Sequence, residues 1–204
     1  MESAAGPACI GEPFHYPEKN PEKLFATMVA GAADDEVAAR LVYAESLASR
    51  CLELHPEADG LAENLADSIA AVVWNRIRAK DSAYGEGVRG VVFKGAQFRS
   101  TFGGCDVSTR REFLCPLASE AAGVARSGLW DVAVRAVEKA KAGGENPLPG
   151  VHHYFFPRHF DESKSCAKWK GVFPAWAKER TRIEPSFDHS RSVKVLSSCV
   201  SFYR

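Results

Sequence analysis

A chain of 204 residues with 46% hydrophobic and 25% charged residues buries one substantial core and favours one domain. Twenty-six basic and twenty-six acidic residues cancel, which excludes a global field that draws the chain to nucleic acid or an anionic membrane and fits a neutral or weakly charged polymer better. No run approaches a membrane span, and Met1 to Pro17 lacks the basic start and apolar stretch of a secretory signal.

In chain order, residues 1–33 read as an irregular N-terminal arm, its first 22 residues holding four prolines and two glycines. The remainder, 34–204, reads as one domain. Asp34 and Asp35 put favourable charge in the first turn of a helix expected to run to about Leu54, where His55-Pro56 closes it. A second helix is expected from Leu61 to Ala79, because Leu65, Ile69, Val72, Val73 and Ile77 recur at three- and four-residue steps. The stretch 81–116 carries Gly85, Gly87, Gly90, Gly95, Gly103 and Gly104 and reads as a long glycine-rich connection. A further helix is expected from Trp130 to Ala142, stopped by Gly143-Gly144. After Pro147 and Pro149 comes the aromatic cluster His152 to Phe156, and the β-branched tail from Ser192 to Tyr203 suggests a short strand or hairpin.

The six cysteines, at 9, 51, 105, 115, 166 and 199, stand singly, without the close pairs of a zinc ribbon or redox Cys-x-x-Cys motif. An even count suits up to three disulfides in an oxidising space, and the short separation of Cys105 and Cys115 makes that pair the easiest to close. His152 and His153 lack a matched ligand set, so neither a metal site nor a cofactor is expected.

On the first helix Val37, Ala38, Leu41, Ala44, Ala48 and Leu52 cluster on one face, and Glu45 falls near its middle. Burial of a carboxylate raises its pKa and keeps a proton near neutral pH, the requirement for a general acid. Arg76, on the apolar side of the second helix, is a candidate partner; a tight pair would lower that pKa. The other reading of Glu45 is a structural carboxylate paired with a buried base.

The segment Leu-Val-Tyr-Ala-Glu at 41–45, followed by Ala-Ala-Val-Val-Trp-Asn-Arg-Ile at 70–77, resembles the SleB-type cell wall hydrolases, the spore cortex-lytic enzyme family. Gly90-Val91-Val92-Phe93, Gln97-Phe98, the helix around Ala133 to Ala142, His153-Tyr154-Phe155 and Phe202-Tyr203 follow in matching order. The resemblance implies an α+β, predominantly helical, lysozyme-like domain of the goose lysozyme and lytic transglycosylase kind with a small β element. It also implies Glu45 as catalytic acid in cleavage of peptidoglycan between N-acetylmuramic acid and N-acetylglucosamine. The chain departs from the family at 46–64, 105–128 and 160–182, which bears on substrate choice.

Glycosidases commonly need a second carboxylate, and Asp106 is the candidate. Lytic transglycosylases manage with one acid, because the C6 hydroxyl of the muramic acid attacks intramolecularly. Gln97, Ser100 and Tyr154 read as substrate-binding residues, and Trp169 and Trp176 as faces for sugar or for packing. The partner expected is peptidoglycan, with no nucleic acid. A disulfide-capable wall hydrolase without a visible leader suits a secreted protein or an antibacterial effector delivered to a periplasm, which would travel with an immunity protein. The alternative is a peptidoglycan-binding or assembly module that keeps the fold without turnover.

Overall fold

The computed structural model describes residues 7–10, 26–94, 98, 107–121, 127–156, 175–187 and 190–204. In chain order these form helices α1 (Asp34–Ala48), α2 (Cys51–Leu54), α3 (Leu61–Ala79), α4 (Gly87–Val92), α5 (Val107–Leu114), α6 (Pro116–Ala121) and α7 (Leu129–Lys141). There follow strand β1 (His153–Phe155), helix α8 (Ala175–Lys178), strand β2 (Arg182–Ile183), helix α9 (Ser190–Cys199) and strand β3 (Ser201–Tyr203). The fold is α+β and predominantly helical, with the strands in one antiparallel sheet ordered β1-β3-β2.

Helix α1 is the centre of the core. Asp34, Asp35 and Glu36 complement the positive end of its dipole, and α7, α5, α3 and α4 pack around it. The single apolar face expected for this helix is therefore replaced by enclosure on all sides: every residue from Val37 to Ser46 is buried. An all-round buried helix tolerates polar residues only where each finds a partner. Tyr43 donates to Pro116 O at 2.7 Å and Ser46 to Val42 O at 2.7 Å. Arg40 bonds Glu36, Phe113 O, Leu114 O and Ala8 O.

The first helix does not continue to Leu54. Arg50 takes a left-handed conformation, φ 56°, between α1 and the single turn α2, a break that costs about 1 to 2 kcal/mol at a residue with a Cβ. The glycine-rich stretch also holds more structure than a connection, since α4 and α5 lie within it. Gly85 explains one of its glycines: with φ +95°, a Cβ there would collide with Gly90 O within α4. The tail is a helix for most of its length, and only Ser201–Tyr203 is strand. Leu196 and Val200 are buried one turn apart, a helical step that outweighs the β-branched content of Val193 and Val195.

The disulfides also differ from the local pairing expected of Cys115. Its partner is Cys9, and Cys51 joins Cys199; Cys105 lies outside the described residues. Loop entropy favours near neighbours only weakly, whereas the folded contacts bring 7–10 against the end of α5. Ile10 N donates to Leu114 O at 3.0 Å, and Arg40 bridges Ala8 O and Leu114 O.

Candidate active site around Glu45

Two elements meet at the site, α1 from below and β1 from the side. Glu45 is 1% exposed. The Tyr154 hydroxyl, on the middle residue of β1, donates to Glu45 Oε2 at 3.0 Å across 109 residues of sequence. Tyr154 pairs in register with Phe202 of β3, and its ring lies 6.2 Å from Phe202, 5.4 Å from Phe156 and 6.3 Å from Phe98. These aromatic neighbours fix the ring while leaving part of the residue open. Burial, reinforced by the Glu45 carboxylate, holds the phenol well above its ordinary pKa, so near neutral pH it is the hydrogen donor in the pair.

What holds Tyr154 in place comes from α3. Asn75 Nδ2 donates to Leu148 O at 2.7 Å and to Val151 O at 2.8 Å. Its Oδ1 accepts from Asn146, whose own Oδ1 accepts from Leu148 N. The next residue, Arg76, donates from Nε to His152 O at 2.7 Å. Adjacent side chains on one helix thus grip the carbonyls of 148, 151 and 152, the segment that leads directly into β1. Asn75 has no expected role from the sequence; the available signal was an amide directly after Val72, Val73 and Trp74 on a buried stretch of helix.

Arg76 is 3% exposed and is not ion-paired with Glu45. The side chain of Arg76 is held instead by one carbonyl and two aromatic rings. The guanidinium lies 4.6 Å from the Phe98 ring centroid and 5.6 Å from that of Tyr84, geometry suited to cation–π attraction. Its Nη1 is buried without a hydrogen-bond partner. Burial lowers its pKa to about 10, against the favourable fields of Tyr154, Tyr84 and Glu45, so it stays a cation at neutral pH.

Behind the strand, Tyr84 stacks on His152, centroids 5.2 Å apart, and its hydroxyl lies 3.2 Å from His153 Nε2. Burial, then the cations Arg180 and Arg76 and neighbouring His152, drives His153 down to about 4; burial and the same arginines also lower His152. Both histidines are neutral near pH 7. Among the described residues no group of three or more His, Cys, Asp or Glu side chains is placed to hold a metal ion.

Of the residues singled out from sequence, Glu45 and Tyr154 come together. Gln97, Ser100, Asp106 and Trp169 lie outside the described residues, and of Trp176 only the backbone is described. Among the described residues, no helix is long and apolar enough to cross a membrane.

The cell wall hydrolase family model matches residues 66–184, more than half of the chain. The chain belongs to the cell wall hydrolase family. Membership supports peptidoglycan degradation as its general activity and is compatible with an extracellular or periplasmic location. No curated protein and no solved structure matches the chain. The matched span contains Asn75, Arg76 and Tyr154 and begins after Glu45, so a role for Glu45 has to be argued from its surroundings.

Proposed function

We propose that this cell wall hydrolase cleaves the glycan strand between N-acetylmuramic acid and N-acetylglucosamine, with Glu45 as the general acid of a lysozyme-like, SleB-type domain. The observation that carries the reading is the buried Glu45 carboxyl group bonded to Tyr154 at 3.0 Å. A carboxyl group in a water-poor site is disposed to keep its proton, and the aromatic strand beside it limits the directions in which that proton is given. Transfer breaks the O–H bond of Glu45 and forms one on the glycosidic oxygen, leaving the electron pair on the carboxylate. Transglycosylation then returns the C6 hydroxyl proton to that carboxylate and needs no further acid. Hydrolysis needs a group that activates water, the role proposed for Asp106. Gln97, Ser100 and Tyr154 are proposed to hold the sugars.

The disulfides Cys9–Cys115 and Cys51–Cys199 support work in an oxidising space, as an exported enzyme or as an antibacterial effector accompanied by an immunity protein. The deciding experiment is mass spectrometry of fragments released from purified peptidoglycan by the wild type and by Glu45→Gln. Anhydromuropeptides from the wild type alone identify a lytic transglycosylase, and reducing ends identify a muramidase. The expected loss in Glu45→Gln is at least about a thousandfold. Equal release by both proteins would remove Glu45 from the chemistry, and binding without any product would leave a glycan-binding module.

A further inference from the structure

Glu45 stands in the last turn of α1, which ends at Ala48. A helix end is where backbone hydrogen bonds open first, and this end carries neither of the usual stops. No basic residue lies in its last turn and no glycine follows Ala48; the chain passes instead through left-handed Arg50 into α2. The closing bonds run from Ser49 N to Glu45 O at 3.1 Å and from Arg50 N to Leu47 O at 3.0 Å. Directly beyond them, Cys51 at the start of α2 is joined to Cys199, the last residue of α9, and β3 begins at Ser201. Phe202 of β3 is the register partner of Tyr154, whose hydroxyl returns to Glu45 Oε2 at 3.0 Å. Glu45, Cys51, Cys199, Phe202 and Tyr154 thus form a closed circuit, and the disulfide is its covalent crossing.

We propose that the Cys51–Cys199 disulfide is the positioning link of this site and its redox switch: closed, it holds the turn that carries Glu45 against the sheet that presents Tyr154; open, it leaves the enzyme folded and weakly active. This rests on the reading of Glu45 as the acid. A misplacement of about 1 Å between an acid and its target costs on the order of a hundredfold in rate, so slack in the circuit lowers turnover before it unfolds the core. The core has other support, since α3, α4, α5 and α7 enclose α1, and α9 buries Leu196 and Val200 against α3. Cys9–Cys115 lies off the circuit and joins residues 7–10 to the end of α5. Closing the link is a two-electron oxidation by a small external disulfide. One protein thiolate attacks it and releases a thiol, and the other attacks the protein sulfur of the mixed disulfide and releases the second; the two electrons and two protons lost by the protein reside in the released thiols. A chain kept where thiols stay reduced therefore folds without cutting, and oxidation turns it on. Cys51 is 0% and Cys199 2% exposed, which shields the closed link from thiols in solution.

The test compares the oxidised wild type with two paired variants of the full chain, Cys51→Ala with Cys199→Ala and Cys9→Ala with Cys115→Ala. Fragment release from purified peptidoglycan gives kcat and KM per folded molecule. Amide hydrogen exchange at Ser49, Arg50 and His152, whose N–H groups close the end of α1 and join β1 to β3, reports the circuit without turnover. The 51/199 variant is expected to keep its fold, to lose at least about thirtyfold in kcat with KM within about twofold, and to exchange those amides at least about tenfold faster. The 9/115 variant should match the wild type in both. Reduced with a dithiol, it should fall to the level of the 51/199 variant and recover on oxidised glutathione. A folded 51/199 variant with wild-type kcat overturns the inference, and equal losses in the two variants do the same. So does global unfolding without the 51/199 link, because the disulfide would then hold the whole chain and not the site. An active Glu45→Gln enzyme would overturn the acid assignment separately, since the exchange of Ser49, Arg50 and His152 still shows whether the link holds the circuit.

Discussion

Two arginines are buried in this molecule to nearly the same degree, Arg40 at 1% and Arg76 at 3% exposure, and they are treated in opposite ways. Around Arg40 every nitrogen has an acceptor: Glu36, the carbonyls of Phe113 and Leu114 at the end of α5, and Ala8 O. The cation there ties two separate segments to α1, residues 7–10 and the end of α5. Around Arg76 there is one hydrogen bond, an orphaned nitrogen and two ring faces. Burial lowers the pKa of both, and Glu36 offsets the effect at Arg40 by direct contact. The lesson is that burial of a charge does not by itself separate architecture from chemistry. The completeness of its hydrogen bonding does.

Arg40→Met should break the architectural side hardest. It strands the carbonyls of 8 and 113 and leaves Leu114 O with Ile10 N alone, and a loss of about 3 kcal/mol is expected in urea unfolding, with cleavage per folded molecule preserved. Asn75→Ala sharpens the comparison from within the site. It orphans Val151 O and leaves Leu148 O only its turn bond from Val151 N, for about 2 kcal/mol, and should reduce cleavage by more than the unfolded fraction explains, because β1 no longer presents Tyr154 firmly to Glu45.

A smaller effect comes from His153, whose folded pKa of about 4 lies below its unfolded value near 6.5. The unfolded chain takes up the proton first as the pH falls, so stability is complete above about 6.5 and is lost between there and about 4. Discounted for the partial exposure of the ring, the loss is about 1 to 2 kcal/mol. His153→Phe should flatten that part of the stability-against-pH curve. Smallest of all, Arg76→Met should change stability by less than about 1 kcal/mol, since removal of a poorly satisfied cation offsets the lost bond to His152 O. A large destabilisation there would place Arg76 beside Arg40 as architecture.

The sequence displayed the frame of this fold and part of its site, and the division has physical causes. Helices α1, α3 and α7 were legible because their apolar residues repeat at helical steps; α3 and α7 lie close to the expected ranges, and α1 starts where expected and ends at Ala48 instead of Leu54. Glu45 was conspicuous as a carboxylate in apolar surroundings, and Tyr154 as the hydroxyl among phenylalanines. The Asn75 clamp was not legible, because the carbonyls it grips lie 73 and 76 residues away and belong to backbone that carries no sequence signal. The Cys9–Cys115 link was hidden for the same reason: its proximity is created by Arg40, and spacing along the chain says nothing of it. The final helix was obscured because its valines suit either periodicity over so few residues.

The two disulfides among the described residues interleave along the chain, in the order 9, 51, 115, 199, with the first joined to the third and the second to the fourth. Any single backbone cut between Cys9 and Cys199 therefore leaves the two pieces covalently attached, whichever loop is cut. An enzyme that meets proteases where it works is thereby protected against losing half of itself to one nick: the fragments remain at each other's effective concentration, and α1 and β1, the carriers of Glu45 and Tyr154, stay within reach of one another.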